Sequence, residues 1–244
     1  MTPLTAPDTV AAADLGPVTI LLDLDRGDLT ALPGPAGTLW AALSETGDLD
    51  AAIAATPAPP DELRALGHQL VARRLLRPTG VPRPWAPPAR PANPVVTASL
   101  GSMATPMAVQ QPGRPRTAAR VLAVAALVCA RLAVRTLRFG WLTVATGRLQ
   151  RRCRRPATAQ GAAAALAAVR WATLRVPGRA ACLEVSLAAT ALLAARRRSV
   201  TWCLGVAADP VRTHAWIEVD GRPVGEPPET GRYVPIFRSA GLTE

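Results

Sequence analysis

Three residue types that together make a thiol nucleophile occur in one order near the end of the chain: Cys182, then His214, then Glu226. A thiol attacks a carbonyl only as thiolate, so it needs a base to take its proton and an acid to orient that base. Cys182 opens the apolar run that continues through Leu193 and falls in the first turn of a predicted helix. Unpaired N–H groups and the helix dipole favour an anion there. A thiol of intrinsic pKa about 8.5 becomes a better nucleophile in such a place, and the same N–H groups could hold an oxyanion. His214 follows a turn and opens a strand predicted over Thr213–Val219. Strand alternation sets His214, Trp216 and Glu218 on one face, so Trp216 should wall the site beside the imidazole.

The acid depends on the turn at Asp220-Gly221. A two-residue loop pairs Val219 with Arg222 and turns Glu226 away from His214. A three-residue loop, Val219-Asp220-Gly221, with Gly221 left-handed, pairs Glu218 with Arg222 and sets Glu226 opposite His214. The catalytic reading therefore expects the three-residue loop. Asp220 is excluded: six residues of strand put it roughly 20 Å from His214. Glu229 is a weaker alternative. Cys129, Cys153 and Cys203 have no comparable surroundings and read as packing residues.

The elements that must position this trio come in two dissimilar halves. Residues 1–62 carry ten acids and one arginine; residues 63–244 carry 27 arginines and seven acids, with no acid from Arg64 through Leu183. Such asymmetry marks two units with different partners. Every basic residue is Arg, spaced through apolar helices rather than packed into one run, so nucleic acid is not the expected partner. The arginines read as solvated helix faces or as a landing site for an acidic partner. The cysteine spacings match no zinc pattern, with only His68 and His214 to assist, so no metal or cofactor is expected. The acidic N-terminus lacks the pattern of a signal peptide. The apolar runs 121–130 and 185–195 are too short to cross a bilayer, which takes roughly 17–25 residues. A cytoplasmic protein without a transmembrane segment is expected, with membrane-surface contact by the 117–150 helices as an option.

The fold class expected is α+β in three parts: a small recognition domain over 1–80, a Pro-rich linker over 81–116, and a helical bundle with an antiparallel sheet over 117–244. In the first, Val18–Leu22 and Leu29–Leu32 read as strands around a turn, followed by a helix over Ala36–Leu43, a short helix capped by Asp48 or Asp50, and a third from Pro60 to Arg74. Leu63, Leu66 and Leu70 recur on one face of that third helix; His68 reads as a surface residue. In the last part, helices are predicted over 118–138, 141–155, 158–175 and 181–198, with Gly140 and Pro156 as breaks, then strands over 199–206 and 213–219.

The residues Gly178-Arg179-Ala-Ala-Cys182-Leu-Glu-Val-Ser186, the strand ending Leu204-Gly205-Val206, and His214-Ala-Trp-Ile-Glu-Val-Asp220-Gly221 resemble the leader peptidase of lasso peptide biosynthesis, a member of the transglutaminase-like (papain-like) superfamily. The likeness covers roughly 117–244. Ile20–Gly27, Leu32–Trp40 and Leu70–Pro78 are similar to a PqqD-like, winged-helix-like peptide-recognition element. In the fused form of the lasso B protein that element precedes the peptidase. The resemblance implies that the first unit captures the leader of a precursor peptide as an added strand, here at Leu29, Thr30, Ala31 and Leu32 with Leu66 and Leu70 of the third helix. It implies that Cys182, His214 and Glu226 then hydrolyse the leader–core bond. The freed amine passes to an ATP-dependent, asparagine-synthetase-like cyclase. The family acid is usually Asp; this chain offers Glu226. The rivals are another thiol acyltransferase, a peptide-delivery protein without catalysis, and a DNA-binding winged helix. The net charge of the first 62 residues opposes the last.

Overall fold

The computed structural model describes residues 2–91, 117–208 and 211–239. Two compact units are present, one of Met1–Ala92 with Val206–Val211 and one of Asn93–Gly205 with Arg212–Glu244.

In the first unit the strands β1 (Leu4–Thr5), β2 (Val10–Asp14), β3 (Val18–Asp23) and β4 (Leu29–Pro33) precede three helices, α1 (Pro35–Thr46), α2 (Leu49–Ala55) and α3 (Pro60–Ala72), and β5 (Arg77–Pro78). β3 is the middle of an antiparallel sheet ordered β2-β3-β4, and β1 pairs with β5. The Asp48 carboxylate accepts from the N–H groups of Asp50 and Ala51 and so caps α2, as its sequence position predicts. Leu21, Leu32, Leu39, Trp40, Leu49 and Leu70 share one core cluster.

Two features of this unit differ from expectation. β2 is an additional strand: Val-Ala-Ala-Ala-Asp carries almost no strand propensity or alternation and is held by pairing with β3. Residues 81–91, expected in the linker, lie on the unit instead. The Trp85 N–H donates to the Ser44 carbonyl at 2.9 Å, and its ring meets Trp40 edge-on at 6.0 Å. Ala89 runs parallel beside β2, accepting from the Asp14 N–H and donating to the Ala12 carbonyl, each at 2.8 Å. The rest of the expected linker, 92–116, lies outside the described residues.

One sheet edge is thereby covered, and among the described residues no strand pairs with the outer edge of β4. The Asp23 N–H donates to the Asp28 carbonyl and the Gly34 N–H to the Pro17 carbonyl. Antiparallel alternation then turns the backbone groups of Thr30 and Leu32 toward β3 and those of Leu29 and Ala31 outward. Leu32 and Leu70 are core side chains, 3% and 2% exposed, and Leu66 is half-buried. Of the residues expected to meet a peptide, Leu29 and Ala31 are the exposed ones.

The second unit has helices α4 (Thr117–Thr136), α5 (Phe139–Arg151), α6 (Ala159–Thr173) and α7 (Cys182–Ala195), with short strands β6 (Arg155–Pro156) and β7 (Arg198–Ser199) pairing in parallel. The larger sheet is built from β8 (Thr201–Ala207), β9 (Arg212–Val219), β10 (Arg222–Pro223) and β11 (Val234–Arg238), ordered β10-β9-β8-β11. α7 is the hub: it packs against α4, α5, α6 and β9. Its near-continuous apolar sequence suits burial on all sides. Gly140 lies inside α5; the break falls at Leu137-Arg138. Trp202 of β8 ties sheet to hub, its fully buried Nε1 donating to the Ser186 hydroxyl at 3.0 Å. Among the described residues no helix is long and apolar enough to cross a membrane.

Candidate active site

Cys182 is the first residue of α7, as the sequence predicts. The turn before it is fixed at two points. The carboxylate of Glu184, in the first turn, accepts from the Ala181 N–H. Arg131, buried on α4, donates to the Pro177 carbonyl at 2.7 Å and to the Gly178 carbonyl at 2.6 Å. Neither role is visible in the sequence: Arg131 reads there as one more arginine on a helix.

His214, near the start of β9, lines the same cleft as Cys182. Its Nε2 lies 2.8 Å from Glu226 Oε2, which leaves Nδ1 as the nitrogen toward the thiol. The Trp216 ring stacks beside the imidazole at 5.8 Å and Tyr233 lies at 5.2 Å from it. Trp216 in turn donates its indole N–H to Glu218 at 2.9 Å, and Arg238 donates to the other Glu218 oxygen at 3.2 Å. The expected face of β9, His214 with Trp216 and Glu218, is thus the one formed. A Cβ on Gly205 of β8 would lie 2.5 Å from the Trp216 ring, so glycine there gives the indole its place.

The turn that was to bring Glu226 in differs from expectation. Val219 pairs with Arg222, and both Asp220 and Gly221 have positive φ, 51° and 70°. This is the two-residue hairpin, the alternative that should have turned Glu226 away. The extra residue sits later. The Val224 N–H still donates to the Ile217 carbonyl at 3.0 Å, but Gly225 then takes φ 63°. One left-handed residue at that point changes the face on which the next side chain, Glu226, emerges, since side-chain direction has period two. A Cβ on Gly225 would also lie 2.8 Å from Leu166 on α6. From the same helix Arg170 donates to the Gly225 carbonyl at 2.7 Å and to Glu226 Oε1 at 3.1 Å. The Thr230 hydroxyl donates to Oε2 at 3.5 Å. Glu226, 9% exposed at its side chain, therefore has both oxygens engaged. Glu229 and Asp220 are exposed on the surface.

The electrostatics of the site arise from these contacts. Burial opposes ionisation of Cys182, but hydrogen bonds from His214 and from the Ala215 and Leu183 N–H groups, with the histidine's charge, hold the thiol below its ordinary value. His214 is raised to about 9 by its hydrogen bond with Cys182 and then by Glu226, against burial. The two shifts agree: they favour thiolate beside imidazolium. Burial pushes Cys153 up, and burial with the neighbouring Glu218 pushes Cys203 far up, which suits their reading as packing residues. The pair opens onto a cleft of about 240 Å³, walled by Leu166, Thr173, Ala180, Val185 and Ile217.

Residues 124–238, a little under half of the chain, match the family described as the transglutaminase-like superfamily, and this segment is a transglutaminase-like domain. The match takes in Cys182, His214 and Glu226 together with Arg131 and Arg170. No curated protein and no solved structure matches the chain.

Proposed function

We propose that the transglutaminase-like domain is a cysteine peptidase that cuts the leader from the core of a ribosomally made precursor during lasso peptide maturation. The observation that carries this reading is the meeting of Cys182, His214 and Glu226 at one cleft, with the His214 ring hydrogen-bonded to Glu226. His214 holds the thiol proton as imidazolium, and the thiolate attacks the scissile carbonyl. The first-turn N–H groups of α7 receive the developing oxyanion. As the C–N bond breaks, Nδ1 gives its proton to the leaving amine. Water then adds to the thioester, Nδ1 takes its proton, and the C–S bond breaks. The leader leaves as a carboxylic acid and the thiol is restored. Glu226 keeps the ring in position through Nε2 and stabilises its charged form.

In the same reading the Met1–Ala92 unit holds the leader as a fourth strand on β4. Its outward backbone groups at Leu29 and Ala31 support this, as does the likeness of this unit to a PqqD-like recognition element. The core, with its new amine, goes on to the ATP-dependent cyclase. The deciding experiment incubates purified protein with precursor and weighs the products. Hydrolysis gives two fragments whose masses sum to the precursor plus water. A joined product would make the domain an acyltransferase. Cys182→Ala should abolish cleavage while leader binding survives; retained cleavage by that variant would sink the thiol mechanism.

A further inference from the structure

The outward side of α4 is apolar where a surface helix should be polar. Val121, Leu122, Ala125, Val128, Cys129 and Leu132 follow helical spacing down one exposed face, while Ala123, Leu127 and Ala130 fill the buried one. Val121 is 66% exposed, Leu132 56%, and Trp141 on α5 61%. Eight of the twelve exposed large hydrophobics among the described residues lie between Val121 and Leu149, on α4, α5 and the turn that joins them. An apolar outward helix face of this kind marks an interaction site.

Charge says what it fits. Arg135, Arg138, Arg148 and Arg152 are exposed beside the apolar face, and neither helix carries an acid. A protein interface ordinarily offers both signs for pairing, whereas this one offers a single sign. Exposed apolar side chains together with arginines and a tryptophan, and no acid, are what a helix lying in a membrane interface requires. We propose that the outward face of α4 and α5 docks the protein on a membrane surface bearing anionic phospholipid. The arginines would meet the headgroups, and Val121, Leu122, Val128 and Leu132 would enter the acyl boundary. This surface is distinct from the cleft and does not depend on the peptidase reading.

The test uses the full chain as Cys182→Ala, in which Cys129, exposed on the face itself, is the accessible thiol and carries an environment-sensitive dye. Vesicles of phosphatidylcholine alone are compared with vesicles containing about one third phosphatidylglycerol. The expected result is a blue shift and co-flotation with the anionic vesicles, at least about tenfold weaker with neutral ones, and loss of most binding on raising salt to about 0.5 M. Leu122→Gln with Leu132→Gln should abolish flotation without changing the melting temperature. If that variant fails to fold, Arg148→Gln with Arg152→Gln should weaken anionic binding alone. Absence of flotation overturns the proposal, as does equal, salt-insensitive binding to neutral vesicles. A blue shift that grows with protein concentration without lipid, together with a dimer in sedimentation, would assign the face to a second copy of the chain instead.

Discussion

Glu226 shows how much one side chain can be asked to do. It accepts from the His214 ring with one oxygen and from Arg170 with the other, and it is one of the groups that raise His214 to about 9. Glu226→Gln keeps the size and removes the charge. Turnover of the precursor should fall by about 10²–10⁴-fold, the usual range for impaired acid–base catalysis, and by less than in Cys182→Ala. The pH dependence gives a sharper check. Thiolate is present above the depressed Cys182 value, and imidazolium, the acid for the leaving amine, is present below about 9. Peptide cleavage should therefore hold through neutral pH and fall as pH rises through about 9. Alkylation of Cys182 by iodoacetamide needs only thiolate and should not fall there. In Glu226→Gln the alkaline limb of cleavage should move down in pH, because one of the groups raising His214 is gone. An unmoved limb would show that Glu226 does not set the state of the ring.

At the scale of elements, the site depends on where chain segments stop and bend. Cys182 and His214 were legible because helix starts and strand alternation are local patterns. The bend at Gly225 was not, because what demands it is long-range: Leu166 and Arg170 of α6 lie against it. The two-residue turn followed from Asp-Gly alone and was correctly one of the alternatives, yet it carried the wrong consequence for Glu226. Gly225→Ala should test this. Strain at positive φ and the Leu166 contact should together cost roughly 1–3 kcal/mol, and activity should drop toward that of Glu226→Gln. The double variant should be little worse than either single one, since both act through the same carboxylate. Additive losses would detach Gly225 from the acid. Arg131 was illegible for the same reason: its partners, the Pro177 and Gly178 carbonyls, are distant in sequence. Arg131→Met should release this turn, lower stability by about 1–3 kcal/mol through two lost hydrogen bonds, and slow Cys182 alkylation in the fraction that stays folded.

At the scale of the whole molecule, an acidic stretch over 1–62 and a basic remainder already implied two units, and the contacts divide the chain near residue 92. What composition could not give was the end of the first unit, because a Pro-rich stretch reads as linker whether or not it packs. Trp85 and Ala89 settle that locally, one against Trp40 and one along β2. A fragment of residues 1–92 should therefore melt well above one of residues 1–80, which lacks Trp85 and bares the β2 edge; equal melting temperatures would show that the packed segment adds nothing. With that edge closed, an incoming strand has the outer edge of β4 to use. Leu29→Pro and Ala31→Pro each place a ring where a backbone donor points outward. In the full chain they should weaken leader binding by about tenfold or more while leaving the fold intact. Thr30→Pro is the control, since its N–H points to β3 and its loss should destabilise the sheet itself. Calorimetry in which the two outward substitutions leave leader affinity unchanged would remove β4 as the docking strand, whatever becomes of the chemistry at Cys182.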